Sequence, residues 1–417
     1  MEPVRTITFA GLQTDAVKVS TPAEADAAAE RVAALLKRPL GPGAAVQVAL
    51  LNNRGLQATY NELGISEAEY VQASLPPSPR LGFNQLAGDF EVEITRQLVG
   101  NLLALITLPA RAEIAQDRFR AAQLRAAGAT LAFAVETRKQ YYRAVAANEQ
   151  LNLIAHGHGN AAAGSDGIEL TRAGMQLRTE RERLTRQMGL WDDRDYTLPA
   201  RLPPTPARIR SIREVEAQSL RQRLDLQVAR SELESLAKTL GLTEATRFIS
   251  DLDLVAQNRY KSTDKYTADS VSKTKTITNG FAATIEIPLF DFGQARVAEA
   301  EQRYLQAANR LAEMAVNARS EAREAYDAYR GSYELARAYR NRIGRLERPV
   351  GLQDPLPDGR QIEVPLRPEP GLRERIDGTV QEIAARRDFW IADADLAASL
   401  SGTGPGGGVY VLGIPPI

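Results

Sequence analysis

The chain has 417 residues, with 52 basic and 52 acidic side chains, so its formal charge is zero and gives no support for a nucleic-acid partner. It contains no cysteine, which excludes disulfides, thiolate metal sites and cysteine nucleophiles. No stretch approaches the roughly 18 consecutive apolar residues of a transmembrane helix, whereas membrane β-strands need only about 9–11 residues of alternating polarity. Composition therefore excludes a helical membrane protein and leaves a β-barrel allowed.

Residues 1–43 are predicted to be an N-terminal extension. Residues 1–22 look irregular and lack the basic and then apolar pattern of a signal peptide, so an exported chain would have lost its signal or would begin further upstream. Helical periodicity starts near residue 23 and breaks at PLGP, residues 39–42. It ends before the proline run at 76–79, because proline lacks an amide donor.

The rest of the chain is predicted to be two similar repeats, at 44–190 and 208–400, joined by a proline-rich linker at 191–207. In chain order the first repeat has a helix, a β-hairpin with strands at about 81–98 and a turn at 87–89, a helix to about 153, a loop at 154–168 and a helix to about 190. The second has a helix to about 241, strands at about 246–260 and 276–290 around a polar loop, a helix over 291–343, an atypical insert at 344–375 and a final helix. A disordered tail is predicted at 401–417.

An internal duplication supports this division. A shift of about 185 positions aligns residues 115–141 with 300–326 without a gap, and a shift of about 170 aligns 50–63 with 220–233. The longer polar loop of the second hairpin accounts for the difference between the two shifts. Two matching blocks that flank matching hairpins make a chance match of alanine-rich helices a poor explanation.

The last long helix carries a heptad pattern. Apolar residues recur every seven positions from Val297 to Ala325, which predicts supercoiled packing against partner helices. One hairpin per repeat cannot form a closed sheet within one chain, and exposed strand edges are a liability unless they are paired. The pattern therefore predicts an oligomer.

Several passages resemble the TolC-like outer-membrane efflux family. The segment from Ile287 to Gln294 contains a P-L-F-D-x-G passage, which that family carries where a barrel strand turns into a long helix. Residues 49–57 resemble the family's first repeat, 223–227 its second repeat with Leu224 where proline is usual, and 387–396 its closing helix. Together the matches cover roughly three quarters of the chain.

The resemblance implies a mainly α fold with a small β part: long coiled-coil helices in a helical barrel, plus two hairpins that give four strands to a trimeric twelve-stranded β-barrel. It implies a homotrimer in outer-membrane lipid that extends into the periplasm and exports passively, with a periplasmic adaptor and an inner-membrane RND or ABC-type pump as partners. No enzyme activity, cofactor or metal is expected. An alternative is a soluble coiled-coil scaffold or a periplasmic adaptor, although an adaptor should show lipoyl-like β segments.

Within this resemblance, some residues receive structural roles. Residues expected at the strand-to-helix transitions are Pro109, Pro288, Phe290, Asp291 and Gly293; Asp291 suits a helix N-cap, and Gly293 relaxes the turn. Glu91 and Glu93 share a strand face, opposite Phe90, Val92 and Ile94. The two glutamates are predicted to line a lumen, with ordinary solvated alternation as the alternative.

Two segments depart from the family where helical hairpin tips should lie. The segment 153–177 is much shorter than the family's helical hairpin and contains His156 and His158 in a glycine-rich loop. The segment 344–375 contains six prolines, which a helix interior does not tolerate. No aperture or gating residue is assigned there. A pair of compensating frameshifts would explain the second departure, and the coding DNA would reveal a family-like alternative frame.

Other chemistry-bearing residues are expected to be structural. His156 and His158 are read as part of a flexible tip rather than a metal pair, which would need further ligands. Tyr260 and Tyr266 are either an interfacial aromatic girdle or exposed loop residues. The tyrosines of the long helices are expected to pack in the core: Tyr141, Tyr142, Tyr326 and Tyr329. Asp393 and Asp395 are expected on a solvated helix face.

Overall fold

The computed structural model describes residues 1–157, 165–191, 195–211, 215, 222–267, 270–346 and 372–404. Its elements in chain order are α1 (Glu2–Leu12), α2 (Pro22–Leu36), α3 (Pro42–Asn52), α4 (Arg54–Ser74), β1 (Arg80–Ala87), β2 (Glu91–Asn101), α5 (Leu102–Ile106), α6 (Leu108–Gly157), α7 (Ser165–Gln187), α8 (Leu224–Ala245), β3 (Asp251–Thr267), β4 (Ser270–Glu286), α9 (Gln294–Leu346) and α10 (Leu372–Ser401). The predicted fold class, mainly helical with two β-hairpins, is confirmed.

Several predicted boundaries in the helical parts are wrong. Residues 1–22 are not irregular throughout, because α1 forms there with Pro3 in its first turn and buries Val4, Thr8 and Leu12. The predicted loop at 154–168 is partly helical, since α6 continues to Gly157 and α7 begins at Ser165. The third helix runs on to Ala245.

The second hairpin also differs from its prediction. The polar Ser/Thr/Lys segment between residues 260 and 276 forms strand rather than loop, with Thr267 opposite Ser270. Its threonines suit a pleated strand, and opposite charges face each other across the pair, as in Lys273 and Asp264 at 3.7 Å. At the other end, β3 starts at Asp251 rather than 246, and β4 stops at Glu286, before Pro288.

The chain divides into two compact units. Unit 1 comprises Met1–Leu63, Gln123–Gln227 and Glu313–Ile417, and unit 2 comprises Gly64–Ala122 and Val228–Ala312. This division groups parts of both sequence repeats in each unit, so it is a different partition from the repeats. The repeat boundaries themselves stay a prediction.

Unit 1 is a helical core in which the long-helix tyrosines are buried, as expected. Tyr141 donates its hydroxyl to the Leu40 carbonyl at 2.9 Å. Tyr142 stacks on Trp390 with ring centres 5.5 Å apart, and burial raises its pKa to about 12. Tyr326 and Tyr329 lie in a second buried cluster. Asp393 is half-buried rather than fully solvated, and burial raises its pKa, against the opposing effect of Arg210 and Arg138.

Two left-handed glycines in unit 1 repeat the same device. Gly189 follows α7 with φ +67°, and a Cβ there would lie 2.9 Å from the Asn52 carbonyl oxygen. Gly402 follows α10 with φ +74°, and a Cβ there would lie 2.2 Å from Oδ1 of Asp225. Only glycine adopts this conformation without penalty. Glycine therefore lets each helix end pack closely against a partner segment, which is residues 52–53 for α7 and Asp225 for α10.

The partner segments hold these helix ends by different chemistry. Asn53 donates to the Gln187 carbonyl at 3.2 Å. In the second repeat, Arg223 donates to Asp225 at 2.6 Å and to Glu321 at 2.8 Å, with its side chain only 2% exposed. The Ser399 carbonyl accepts a longer bond from the same guanidinium, at 3.4 Å. The tail was predicted at 401–417, but Ser401 is the last residue of α10 and 402–404 form the turn that ends it, while 405–417 lie outside the described residues.

The insert predicted at 344–375 is described only at its margins. Residues 344–346 close α9, and 372–375 open α10. Residues 347–371 lie outside the described part of the chain. Within that part, no helix combines the length and the apolar character needed to cross a bilayer.

Candidate functional site

The four strands of unit 2 form one antiparallel sheet in the order β1-β2-β3-β4. Its register runs without a bulge, with Glu93 opposite Leu86 on one side and Lys261 on the other. Because side chains alternate between faces, this register assigns every strand residue to one of two faces. The faces differ sharply in chemistry.

One face is apolar and open to solvent in the single chain. Towards the tip of the second hairpin this face carries the charged residues Asp264, Lys273 and Lys275. Its large apolar side chains are Leu81, Phe83, Val92, Ile94, Leu98, Leu254, Tyr260, Ile277, Phe281 and Ile285. Phe281 is 91% exposed and Leu81 83% exposed. Soluble proteins rarely expose this many large apolar side chains on one face of a sheet, and such patches are typical of surfaces that contact lipid or another protein.

A polar row interrupts the apolar face. Arg96 and Asn258 lie opposite each other on β2 and β3. Asn258 donates its side-chain amide to Asn279 on β4 at 2.7 Å. The bond satisfies one donor and one acceptor of the two amides, which lowers the cost of placing them on this face.

The other face is polar and carries cross-strand ion pairs, which include both predicted glutamates. Glu91 meets Lys261 at 2.6 Å and Glu93 meets Arg259 at 3.1 Å. A third pair joins Arg80 to Asp253 at 2.5 Å. Pairs this exposed contribute little to stability, and their main effect is to leave a hydrated surface whose opposite charges lie close together.

Sequence reasoning missed the cationic half of these pairs. Arg259 and Lys261 alternate with Tyr260, which is a strand signal, but Lys261 fell inside the segment read as a polar loop. Arg80 follows a proline run, one residue before the predicted start of the first strand. The alternating charge on β3 indicates Arg259 and Lys261, whereas Arg80 lies on β1 and has no such signal.

A turn after β4 carries the residues predicted at the strand-to-helix transition. Asp291 accepts hydrogen bonds from the Gly293 amide at 3.0 Å and the Ala295 amide at 3.3 Å. These bonds lower the pKa of Asp291. The helix starts at Gln294, so Asp291 lies before the N-cap position and bonds forward into the first turn.

Glycine is required in this turn. Gly293 has φ +73°, and a Cβ there would lie 2.3 Å from the Arg247 carbonyl oxygen. Pro288 accepts a backbone bond from Phe292 at 2.8 Å, and Phe290 is fully exposed. The turn therefore leaves an apolar ring in solvent within the single chain.

The transition after β2 is built differently. Asn101 caps α5 by accepting a bond from the Ala104 amide at 2.6 Å, and its side chain also bonds Asp251. Pro109 lies in the first turn of α6, separated from β2 by α5. The capping role of Asn101 could not be predicted from the sequence. Asparagine is common both at strand ends and in turns, and the helix α5 is too short to show helical periodicity.

The described residues contain no group of three or more side chains suited to a metal ion. His156 lies in α6, where its Nδ1 is 2.6 Å from the Asn152 carbonyl oxygen. His158 lies outside the described residues. Tyr266 is on β3 beside Phe90, with ring centres 5.4 Å apart, so it is a strand residue rather than a loop residue.

Comparison with solved structures finds similar chains among outer-membrane channels. CusC, whose structures describe transmembrane channel formation, matches with a TM-score of 0.65 at 16% identity, over 89% of this chain and 92% of CusC. The Campylobacter jejuni CmeC outer membrane channel matches with a TM-score of 0.56 at 15% identity, over 90% and 86%. The open-state MtrE outer membrane channel of Neisseria gonorrhoeae matches with a TM-score of 0.56 at 16% identity, over 86% and 89%. No protein-family model and no curated protein matches the chain.

Proposed function

We propose, from the premise that this chain has the fold of the TolC-like outer-membrane channels, that it is one protomer of a passive trimeric export duct. Three copies would each supply four strands to one closed barrel in the outer membrane. Their helices would form a tunnel in the periplasm. The proposal makes the protein a conduit rather than an enzyme.

The amphipathic sheet carries this proposal. Its apolar face includes side chains such as Phe281 and Leu81 that are almost fully exposed, and its polar face bears three ion pairs. A transmembrane barrel needs this arrangement, with apolar side chains toward lipid and polar side chains toward a water-filled interior. Glu91 and Glu93 are therefore proposed to face the lumen.

The free edges of the sheet support the trimer. Among the described residues, β1 and β4 each pair with one strand. Lipid supplies no hydrogen bonds to exposed backbone groups, so a membrane sheet must close. Closure by further copies of the same chain leaves no free edge.

The partners of the duct follow from the same premise. A passive tube needs an energy source, so an inner-membrane pump of RND or ABC type and a periplasmic adaptor are proposed to act with it. A soluble scaffold is the weaker alternative, because it would leave the apolar face of the sheet in water at a cost of about 25 cal/mol per Å².

Membrane fractionation and conductance test the proposal. The full chain, exported with a signal peptide, should sediment with outer membranes and resist extraction by high salt. The purified protein should produce discrete conductance steps in planar lipid bilayers. Recovery in the soluble periplasmic fraction, with no conductance after reconstitution, would overturn the duct.

A further inference from the structure

We infer that β4 pairs with β1 of the neighbouring copy in one defined register, in which Glu286 faces the neighbouring copy's Arg80. The inference rests on the proposed trimer and goes beyond it, because a trimeric barrel could close in several registers. Four properties of the sheet select one of them: edge hydrogen bonding, strand tilt, strand length and charge.

Hydrogen bonding at the two edges restricts the register to steps of two residues. Gly88 donates to the Glu91 carbonyl at 2.8 Å, so the polar-face residues of β1 exchange bonds with β2. The backbone amide of Asp264 donates to the Phe90 carbonyl at 2.8 Å. The apolar-face residues of β3 therefore form hydrogen bonds with β2, and its polar-face residues form them with β4. The apolar-face residues of β1 and β4 therefore direct their backbone N–H and C=O groups away from the sheet. The two edges can form hydrogen bonds when an apolar-face residue of β4 lies opposite an apolar-face residue of the neighbouring β1.

Barrel geometry sets a lower bound on the shift. Closed barrels tilt their strands by about 35–45°. With a rise of about 3.4 Å and a spacing of about 4.8 Å, twelve strands reach about 35° when each copy adds a shift of four residues. A shift of two gives only about 19°, and a shift of six gives about 47°.

The direction of the shift follows from the hand of the sheet. Viewed from the apolar face with the hairpin tips up, the outward bonds of β1 place β2 to its left, and β4 lies furthest left. Because barrel strands tilt with a right hand, each β4 residue lies opposite a residue of the neighbouring β1 that is closer to the hairpin tip than it would be without a shift. Within one chain, Arg80 pairs with Val99, Val99 with Val255 and Val255 with Ala282. With no shift, Ala282 would therefore lie opposite Arg80 of the neighbouring copy, and a shift of four residues places it opposite that copy's Asn84.

Strand length sets the upper bound. β1 begins at Arg80 and β4 ends at Glu286. A shift of four pairs the whole of β1 with strand residues of β4. A shift of six would set Arg80 opposite Pro288 and Leu81 opposite Ile287, both of which lie beyond the end of β4.

Charge and packing favour the same register. A shift of four brings Glu286 opposite the neighbouring copy's Arg80, both on the polar face. Arg80 already holds Asp253 of its own chain at 2.5 Å, so its guanidinium would bridge two copies. On the apolar face the same shift pairs Ile285 with the neighbouring copy's Leu81.

Disulfide trapping tests the register, and the absence of native cysteine gives a clean background. The variant Asn84→Cys/Ala282→Cys places both thiols in a pair without ladder hydrogen bonds, where the Cα atoms of neighbouring strands lie about 4.5 Å apart. The matched controls keep Ala282→Cys and combine it with Gly82→Cys or Leu86→Cys. Each control displaces the thiols to a diagonal separation of about 7–8 Å.

The measurement is the fraction of covalent trimer on non-reducing gels, alongside native mass. We expect the Asn84 variant to cross-link about tenfold faster than either control, because a disulfide needs Cα atoms within about 7 Å. Faster cross-linking with Leu86→Cys or Gly82→Cys in an intact trimer would overturn the register and leave the duct standing. A monomer by native mass would overturn both.

Discussion

The helix ends of unit 1 and the sheet of unit 2 differ in whether their polar and apolar groups find partners within the chain. In unit 1, Gly402 and Arg223 close a helix end within the chain, and the charged side chain is only 2% exposed. Within the described residues, the sheet of unit 2 has two unpaired edges and an exposed apolar face. The helix end of unit 1 finds its partners within one chain, whereas the proposed trimer assigns the edges and the apolar face of the sheet to neighbouring copies and lipid.

The largest effect is expected at the closed helix end. Gly402→Ala would drive a Cβ to 2.2 Å from Oδ1 of Asp225 and force a left-handed backbone on alanine. We expect a loss of about 2–4 kcal/mol in the free energy of unfolding, read from denaturant titration. Gly378→Ala, within the preceding helix α10, is the matched control, because nothing lies within 4 Å of its added Cβ. Equal stability of the two variants would contradict this picture of unit 1.

The next effect concerns the bare apolar face. Phe281→Arg should reduce the membrane-inserted fraction, because an arginine on a lipid-facing barrel surface costs about 2–4 kcal/mol near the bilayer midplane. Thr284→Arg is the control, since Thr284 lies on the polar face opposite Asp253. Heat-stable oligomer in outer-membrane fractions measures both. Loss in the control with retention in Phe281→Arg would reverse the assignment of the faces.

A smaller effect is expected from the polar face. Glu93→Gln leaves the guanidinium of Arg259, now 3.1 Å from a carboxylate oxygen, without its counter-charge. The reversal potential of the reconstituted channel should move toward anion preference. The double variant with Arg259→Gln should restore the original value. An unchanged reversal potential in the single variant would indicate that Glu93 does not face the conducting path.

The smallest effect is a pH dependence in unit 1. Burial raises the pKa of Glu382 from 4.5, against the lowering effect of Arg386, whose Nη2 is 3.2 Å away. A carboxyl group with a raised folded pKa binds its proton more tightly in the folded state, so its ionisation costs stability as pH rises through that range. Glu382→Gln should therefore gain stability relative to the original chain between pH 4 and 7, in melting experiments. A gap that narrows with rising pH would contradict this sign.

The sequence predicts the elements better than their chemical environment. Alternation from Phe90 to Thr95 located the first hairpin, because apolar and polar side chains alternate there without interruption. The tip of the second hairpin was missed, because its serines, threonines and lysines also suit a loop, and only the cross-strand partners distinguish the two.

The buried charges could not be predicted for a similar reason. Asp393 was expected in solvent because its helix pattern does not show which neighbouring helix covers it. Arg223 is held by Asp225 nearby in sequence but also by Glu321, about a hundred positions away. Such long-range contacts become visible only once the helices are packed.

The most direct test of the incomplete sheet is the native mass of the full chain extracted in mild detergent. We expect a single species of three chains, because closure needs the free edges of β1 and β4 to pair between copies. A monodisperse monomer that keeps its four-stranded sheet would contradict the account.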